Sequence, residues 1–180
     1  DTSQRYPILM SRTPYSIGSY GLQSFHEWGS LAPSESFLRD GYIFVLQDVR
    51  GRYKSEGEWE DFRPLRTNRR DTDETTDTYD TIEWLIHHVA DNNGRVGLWG
   101  ISYAAWYTVM GIIDPHPALK AASPQATTGD PFLGDDFHFN GAFELMSVTW
   151  AHYLGQSAQA RGERAETEDS YGEPYGGFGL

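Results

Sequence analysis

The chain is 180 residues long, 38% apolar and 14% aromatic, with six Trp, no Cys and a formal charge of -12. That composition supplies a hydrophobic core and excludes a disordered tail, disulfides, thiolate catalysis and Cys-based zinc sites. The acidic charge argues against a nucleic-acid or anionic-membrane partner, which would need a basic face, and no apolar run approaches the length of a membrane span. A cysteine-free chain suits a cytoplasmic, a periplasmic or a secreted setting, so localisation stays open. The chain opens on Asp1 rather than Met, and an apolar run begins at Tyr6. This is the expectation for a chain that starts inside a fold.

Tyr6 to Met10 reads as a buried strand closed by the Thr13-Pro14 step. Ser16 to Ser36, rich in Gly and Ser, reads as a long loop with room for one helical turn. Tyr42 to Val49 follows Asp40-Gly41 and is dense in aromatic and branched residues, which predicts a second buried strand. Arg50 to Arg70 mixes Gly, charges and aromatics without a period, as a surface loop does. Asp77 is the expected cap of a helix in which Ile82, Leu85, Ile86 and Val89 form one apolar stripe, ended by Asn92-Asn93-Gly94.

Arg95 to Trp99 is the third predicted strand, Gly100 to Tyr103 a sharp turn, and Ala104 to Ile113 a helix apolar on nearly every face. Asp114-Pro115 stops that helix, and Leu119 to Ala122 forms a fourth strand ended by Ser123-Pro124. Alternating strands and helices predict parallel βαβ units with right-handed crossovers, an α/β fold. Thr127 to Gly134 reads as loop. Phe143, Met146, Trp150 and Leu154 then mark one or two helices, and Gly155 to Leu180 is acidic, Gly-rich and without period.

The most informative local feature is Gly97-Leu98-Trp99-Gly100-Ile101-Ser102-Tyr103-Ala104, a buried strand passing through a Gly-x-Ser turn into a buried helix. Such a corner pushes the Ser102 hydroxyl out at the carboxyl edge of the sheet, beside a helix N-terminus whose free N–H groups suit a developing oxyanion. The competing reading is that Ser102 only caps the helix.

With this turn, several blocks resemble one family: Arg12-Thr13-Pro14-Tyr15, Gln47 to Arg52 with Ser55-Glu56-Gly57, Gly94 to Gly97 leading into Gly100 to Tyr103, Asp114 to Lys120, and Gly134-Asp135-Asp136. The chain is similar to the X-Pro dipeptidyl-peptidase and cocaine-esterase-like serine hydrolases, with α-amino acid ester hydrolases and glutaryl-cephalosporin acylases. All blocks occur in order from about Tyr6 to Leu154. The resemblance implies a partial α/β-hydrolase core over residues 1–129 and the start of a helical cap over 130–180, from a longer enzyme that also carries a C-terminal jelly-roll domain.

By the same resemblance Ser102 is the nucleophile, the Tyr103 N–H and the Tyr15 phenol are the oxyanion donors, and Asp136, with Asp135 beside it, binds a substrate ammonium group. Without the family, Tyr15 reads as an ordinary loop aromatic. Likewise the two aspartates read as caps of a following helix. The family usually has Gly-x-Ser-Tyr-x-Gly, whereas Ala104 and Ala105 follow Tyr103 here, so a methyl is expected to crowd the helix against its strand.

Other constellations are weaker. Asp71-x-Asp73 with Asp77 lacks the glycine and closing Glu of a calcium loop, His87-His88 reads as a surface pair, and His26-Glu27 lacks the second His of a zinc-protease helix. No metal or other cofactor is expected.

A hydrolase of this fold needs Asp and His after the nucleophile. His116 falls in a helix-to-strand connection, and His138 and His152 in the expected cap, so none of them is the expected base. The chain therefore reads as an internal fragment, itself with at most trace activity, of an enzyme acting on a small ester, amide or peptide, with homo-oligomerisation open for the intact protein. A non-catalytic small-molecule-binding domain and a complete interaction module are the alternatives.

Overall fold

Tyr6–Thr13 forms β1, the buried strand that the apolar run announced. The computed structural model describes residues 4–18, 32–68, 70–130 and 133–155. After β1 come α1 (Glu35–Asp40), β2 (Ile43–Asp48), α2 (Glu74–His88), β3 (Asn92–Ile101), α3 (Tyr103–Met110) and β4 (Leu119–Gln125), then β5 (His138–Phe139), β6 (Ala142–Phe143) and α4 (Leu145–Gly155). Among the described residues, the first four strands make one sheet in the order β2-β1-β3-β4, with every pair parallel. The parallel α/β expectation is met.

β1 runs past Met10 because Ser11, Arg12 and Thr13 stay in register with Leu46, Gln47 and Asp48 of β2. Arg12 is buried there. Its guanidinium meets the Glu74 carboxylate at 3.1 Å and donates to the Thr78 hydroxyl at 2.6 Å. Burial pushes the Glu74 carboxyl above its usual range, and Arg12 opposes that rise.

α2 starts before Asp77, correcting the expected boundary. Asp73 is the cap: its Oδ1 accepts from the Thr76 N–H at 2.9 Å, and the Thr76 hydroxyl accepts from the Asp73 N–H at 3.0 Å. Asp77 is left to hold the Arg50 guanidinium through two hydrogen bonds of 2.8 and 2.5 Å. The stripe behaves as predicted. Ile82 and Leu85 join Ile8, Met10, Val96, Leu98 and Ala118 in the main core, with Ile86 and Val89 packed against it. Burying a side chain such as Ile82 contributes about 1.5–3 kcal/mol.

Three more boundaries differ. α2 ends at His88, and Asn92 already belongs to β3 while its Nδ2 donates to the carbonyls of Ile86 and Val89. α3 ends at Met110, with Gly111 as its cap. β4 continues through Pro124 to Gln125, pairing Pro124 with Gly100 and Gln125 with Ile101. Proline survives there because, among the described residues, β4 is an edge strand and its outer side needs no donor. In the later segment Phe143 lies in the antiparallel pair β5-β6, and the helix begins only at Leu145. The predicted coil over Gly155 to Leu180 and the His26-Glu27 pair lie outside the described residues, apart from Gly155 as the last residue of α4.

Candidate active site

The carboxyl ends of β1, β2 and β3 lead to Tyr15, to the Arg50–Asp61 loop and to Ser102, so three segments distant in sequence meet at one sheet edge. Ser102 occupies the corner between β3 and α3 at φ 59 and ψ -125. A non-glycine residue in that region costs on the order of 1–3 kcal/mol and persists only where its surroundings dictate it. The surroundings here are specific. The Ser102 N–H donates to the Gln125 carbonyl at 2.9 Å, and the Ser102 carbonyl accepts from Ala105 and Trp106 at 2.9 and 3.2 Å.

Gly100 makes the corner possible. A Cβ at that position would lie 2.3 Å from the Ala104 carbonyl oxygen, a main-chain atom that cannot rotate away. Ala105, where the resemblance has glycine, is fully buried, and α3 still forms from Tyr103 onward. The expected crowding does not unmake the helix.

The Ser102 side chain is exposed and makes no capping hydrogen bond to α3. Capping therefore does not explain the residue. Tyr103 opens α3, so its N–H has no acceptor within the helix and sits directly after Ser102. The Tyr103 ring is buried, with Phe62 stacked on it at 4.5 Å, Tyr107 at 5.0 Å and the Tyr15 ring edge-on at 6.2 Å. Burial and the nearby Tyr107 and Asp61 hold its phenol far above the ordinary range, so it stays protonated.

Tyr15 is fixed from several sides. Its N–H donates to the Thr13 hydroxyl at 3.1 Å, the Ile17 N–H donates to Asp48 Oδ1 at 2.9 Å, and the Pro14 carbonyl accepts from Arg52 Nε at 2.9 Å. Its phenol oxygen accepts from the Trp150 indole N–H at 3.2 Å.

Asp135 and Asp136 precede β5 rather than a helix, so neither caps one. Asp135 closes its own loop, accepting from Gly129 N–H at 2.7 Å and Asp136 N–H at 3.1 Å. Asp136 is exposed, and its main-chain carbonyl accepts from the Ser147 hydroxyl of α4. The next residue, Phe137, touches Phe62 and Trp150 at 6.3 and 6.0 Å between ring centroids.

Residues that sequence reasoning did not single out complete the surroundings. Arg52 is buried, lies over the Trp59 ring at 4.7 Å and donates from Nη1 to the Leu154 carbonyl at 2.7 Å. Asp61 accepts the Tyr103 phenol proton at 2.6 Å. Trp106 and Trp150 line the same aromatic cluster. Of these, only Arg52 lay within a quoted motif, and Trp150 carried only its helical spacing.

The histidines fall elsewhere. His116 is buried, with Nε2 2.7 Å from Glu83 and Nδ1 accepting from the Ala118 N–H at 3.0 Å. His87 meets Glu83, and His88 stacks on Trp84, both on the surface. His138 lies against Phe143, and His152 is exposed on α4.

Residues 1–174 match the family described as X-Pro dipeptidyl-peptidase, S15. The chain belongs to that family. The cocaine esterase of Rhodococcus sp. (strain MB1 Bresler) is 28% identical over 174 residues, which are 94% of this chain and 27% of the esterase. Two solved structures agree with the fold at 36% identity: an α-amino acid ester hydrolase with a TM-score of 0.76, and an aminopeptidase from a marine sediment archaeon, Thaumarchaeota archaeon, with 0.72. Each match covers 86% of this chain and 26% of the solved chain. The chain thus spans about a quarter of the length of these relatives, and its parallel sheet with flanking helices is a partial α/β-hydrolase core. By name these relatives are an esterase, an ester hydrolase and an aminopeptidase.

Proposed function

We propose that the protein bearing this chain is a serine hydrolase that cleaves ester or amide bonds of small acyl, aminoacyl or peptide substrates through an acyl-enzyme on Ser102. The observation that carries this reading is the left-handed Ser102 corner, with an exposed hydroxyl unused for capping and a helix N-terminus at its side. Residues 1–129 then belong to the hydrolase core, and 130–180 open a cap whose α4 lies over the elbow through Trp150, 5.7 Å from the Tyr103 ring.

Ser102 Oγ attacks the substrate carbonyl carbon while its proton passes to a histidine base. The carbonyl oxygen becomes an oxyanion, held by the Tyr103 N–H and the Tyr15 O–H. Trp150 donates to the Tyr15 phenol oxygen and so ties this hydroxyl to α4. Collapse breaks the bond to the leaving alcohol or amine, which takes the proton from the base. Water, deprotonated by the same base, then attacks the acyl-enzyme, releasing the acid and restoring Ser102.

The base and its orienting acid come from outside residues 1–180 in this reading. Both ring nitrogens of His116 are already engaged, and His138 and His152 lie on the cap segment. Residues 1–180 alone should accordingly show at most trace turnover. Asp136 is the first choice for a substrate ammonium group, since the hydrogen bonds that close its loop fall on Asp135. The test is Ser102→Ala in the full-length enzyme. Turnover of small esters and of aminoacyl amides should fall to background, and retained turnover would overturn the reading.

A further inference from the structure

We propose that Asp61 is a positioning residue for the oxyanion hole, holding the Tyr103 phenol so that the N–H following Ser102 keeps its aim. The inference rests on the serine-hydrolase reading above. It starts from an oddity, a carboxylate placed among aromatic rings, half-buried, 42 residues from the tyrosine it contacts.

The contact is directional on both sides. The Tyr103 O–H donates to Asp61 Oδ1 at 2.6 Å, within the range of a charge-assisted O–H···O⁻ bond, and the phenol oxygen accepts from the Phe62 N–H at 2.8 Å. Two consecutive residues therefore occupy both roles of one phenol. Phe62 also stacks on the ring at 4.5 Å with only 12° between planes, and Tyr107 stacks at 5.0 Å and 20°. Ring packing restrains the tilt of Tyr103, while the hydroxyl bonds fix how far the ring reaches.

The residue so clamped is the first of α3, joined by one peptide bond to a serine in a costly backbone conformation. A strained corner holds only when its flanks are fixed. One flank is Ser102 N–H on the Gln125 carbonyl, and the other is Tyr103. Misplacing a reacting group by about 1 Å can cost on the order of 10²-fold in rate. Asp61 achieves this without touching substrate, from the far end of the tyrosine side chain.

Asp61 is desolvated at a cost, since burial raises its carboxyl above the ordinary range against the opposing Tyr103 bond and the Arg52 charge. Filling space would favour an apolar residue at that position. A carboxylate makes sense where an acceptor for the phenol proton is needed.

The test uses the full-length enzyme with Asp61→Leu, Asp61→Asn, Tyr103→Phe and the Asp61→Leu/Tyr103→Phe pair, reading kcat and KM separately. Asp61→Leu and Tyr103→Phe should each lower kcat about tenfold or more with KM nearly unchanged. Asp61→Asn, which keeps an acceptor oxygen, should restore most of the rate. The double variant should be no slower than the slower single one, because both changes break the same bond. If Asp61→Leu does not fold, Tyr103→Phe, which removes one oxygen, carries the test with Asp61→Asn. Unchanged kcat in folded Tyr103→Phe, or losses that multiply in the double variant, would overturn the proposal while a dead Ser102→Ala kept the hydrolase reading intact. Turnover retained in Ser102→Ala would bring down both.

Discussion

The Trp150 indole N–H donates to the Tyr15 phenol oxygen at 3.2 Å, joining two residues 135 apart in sequence. One sits on α4 and the other just beyond β1. The bond ties the oxyanion candidate to the segment covering it. Tyr15→Phe in the full-length enzyme should lower kcat by about 10²- to 10³-fold, the cost of one oxyanion donor. Trp150→Phe keeps a ring but loses the donor, so it should lower kcat less than Tyr15→Phe does. Steady-state kinetics check both, and an unchanged kcat in Tyr15→Phe would remove Tyr15 from the mechanism.

Gly100→Ala tests the corner itself. The added methyl would meet the Ala104 carbonyl oxygen at 2.3 Å, and main chain must move to admit it. The expected loss of stability is about 3 kcal/mol or more, at the upper end of overpacking costs. Denaturant unfolding of the intact protein reads it directly, and a loss under about 1 kcal/mol would contradict the close approach.

Arg52 supplies a second link between α4 and the Tyr15 loop, donating to the Leu154 and Pro14 carbonyls. Among the described residues its Nη2 has no hydrogen-bond partner, so part of the gain is offset by desolvation. Arg52→Met should destabilise by about 2 kcal/mol, the net of two charged hydrogen bonds against that burial. Limited proteolysis should show new cleavage near the end of α4, and an unchanged digestion pattern would refute the link.

Asp73 offers a test by pH. Burial tends to raise its carboxyl, but donation by the Arg66 and Thr76 N–H groups outweighs it, and the folded value falls below the ordinary one of about 4. A depressed carboxyl contributes stability that is complete above the unfolded value and disappears as pH falls through the folded value. Asp73→Ala should therefore cost about 1 kcal/mol near neutrality, and the gap between variant and parent should close in acid. Urea midpoints at the two conditions check the sign.

The elements legible in the sequence were those whose pattern is local. The Ile82, Leu85, Ile86 and Val89 stripe marked α2, and Gly100 with Ser102 marked the elbow, because spacing and turn chemistry act over a few residues. Ends were harder wherever a distant partner decides them. Arg12 extends β1 because Glu74 neutralises it, Pro124 stays in β4 because, among the described residues, its outer side is unpaired, and Asp73 rather than Asp77 is the cap while Arg50 holds the latter. The candidate site was legible where its motif lies in one stretch, as at Ser102 and Tyr103. Tyr15 needed the family resemblance. Asp61 and Arg52 act through contacts 42 and 102 residues away, which no local spacing encodes.

The central claim is that Ser102 is the nucleophile, and covalent labelling tests it most directly. The full-length protein, treated with a fluorophosphonate and mapped by peptide mass spectrometry, should carry one adduct on Ser102, and the Ser102→Ala variant should carry none. Stoichiometric labelling of another serine, or equal labelling of the variant, would contradict the account.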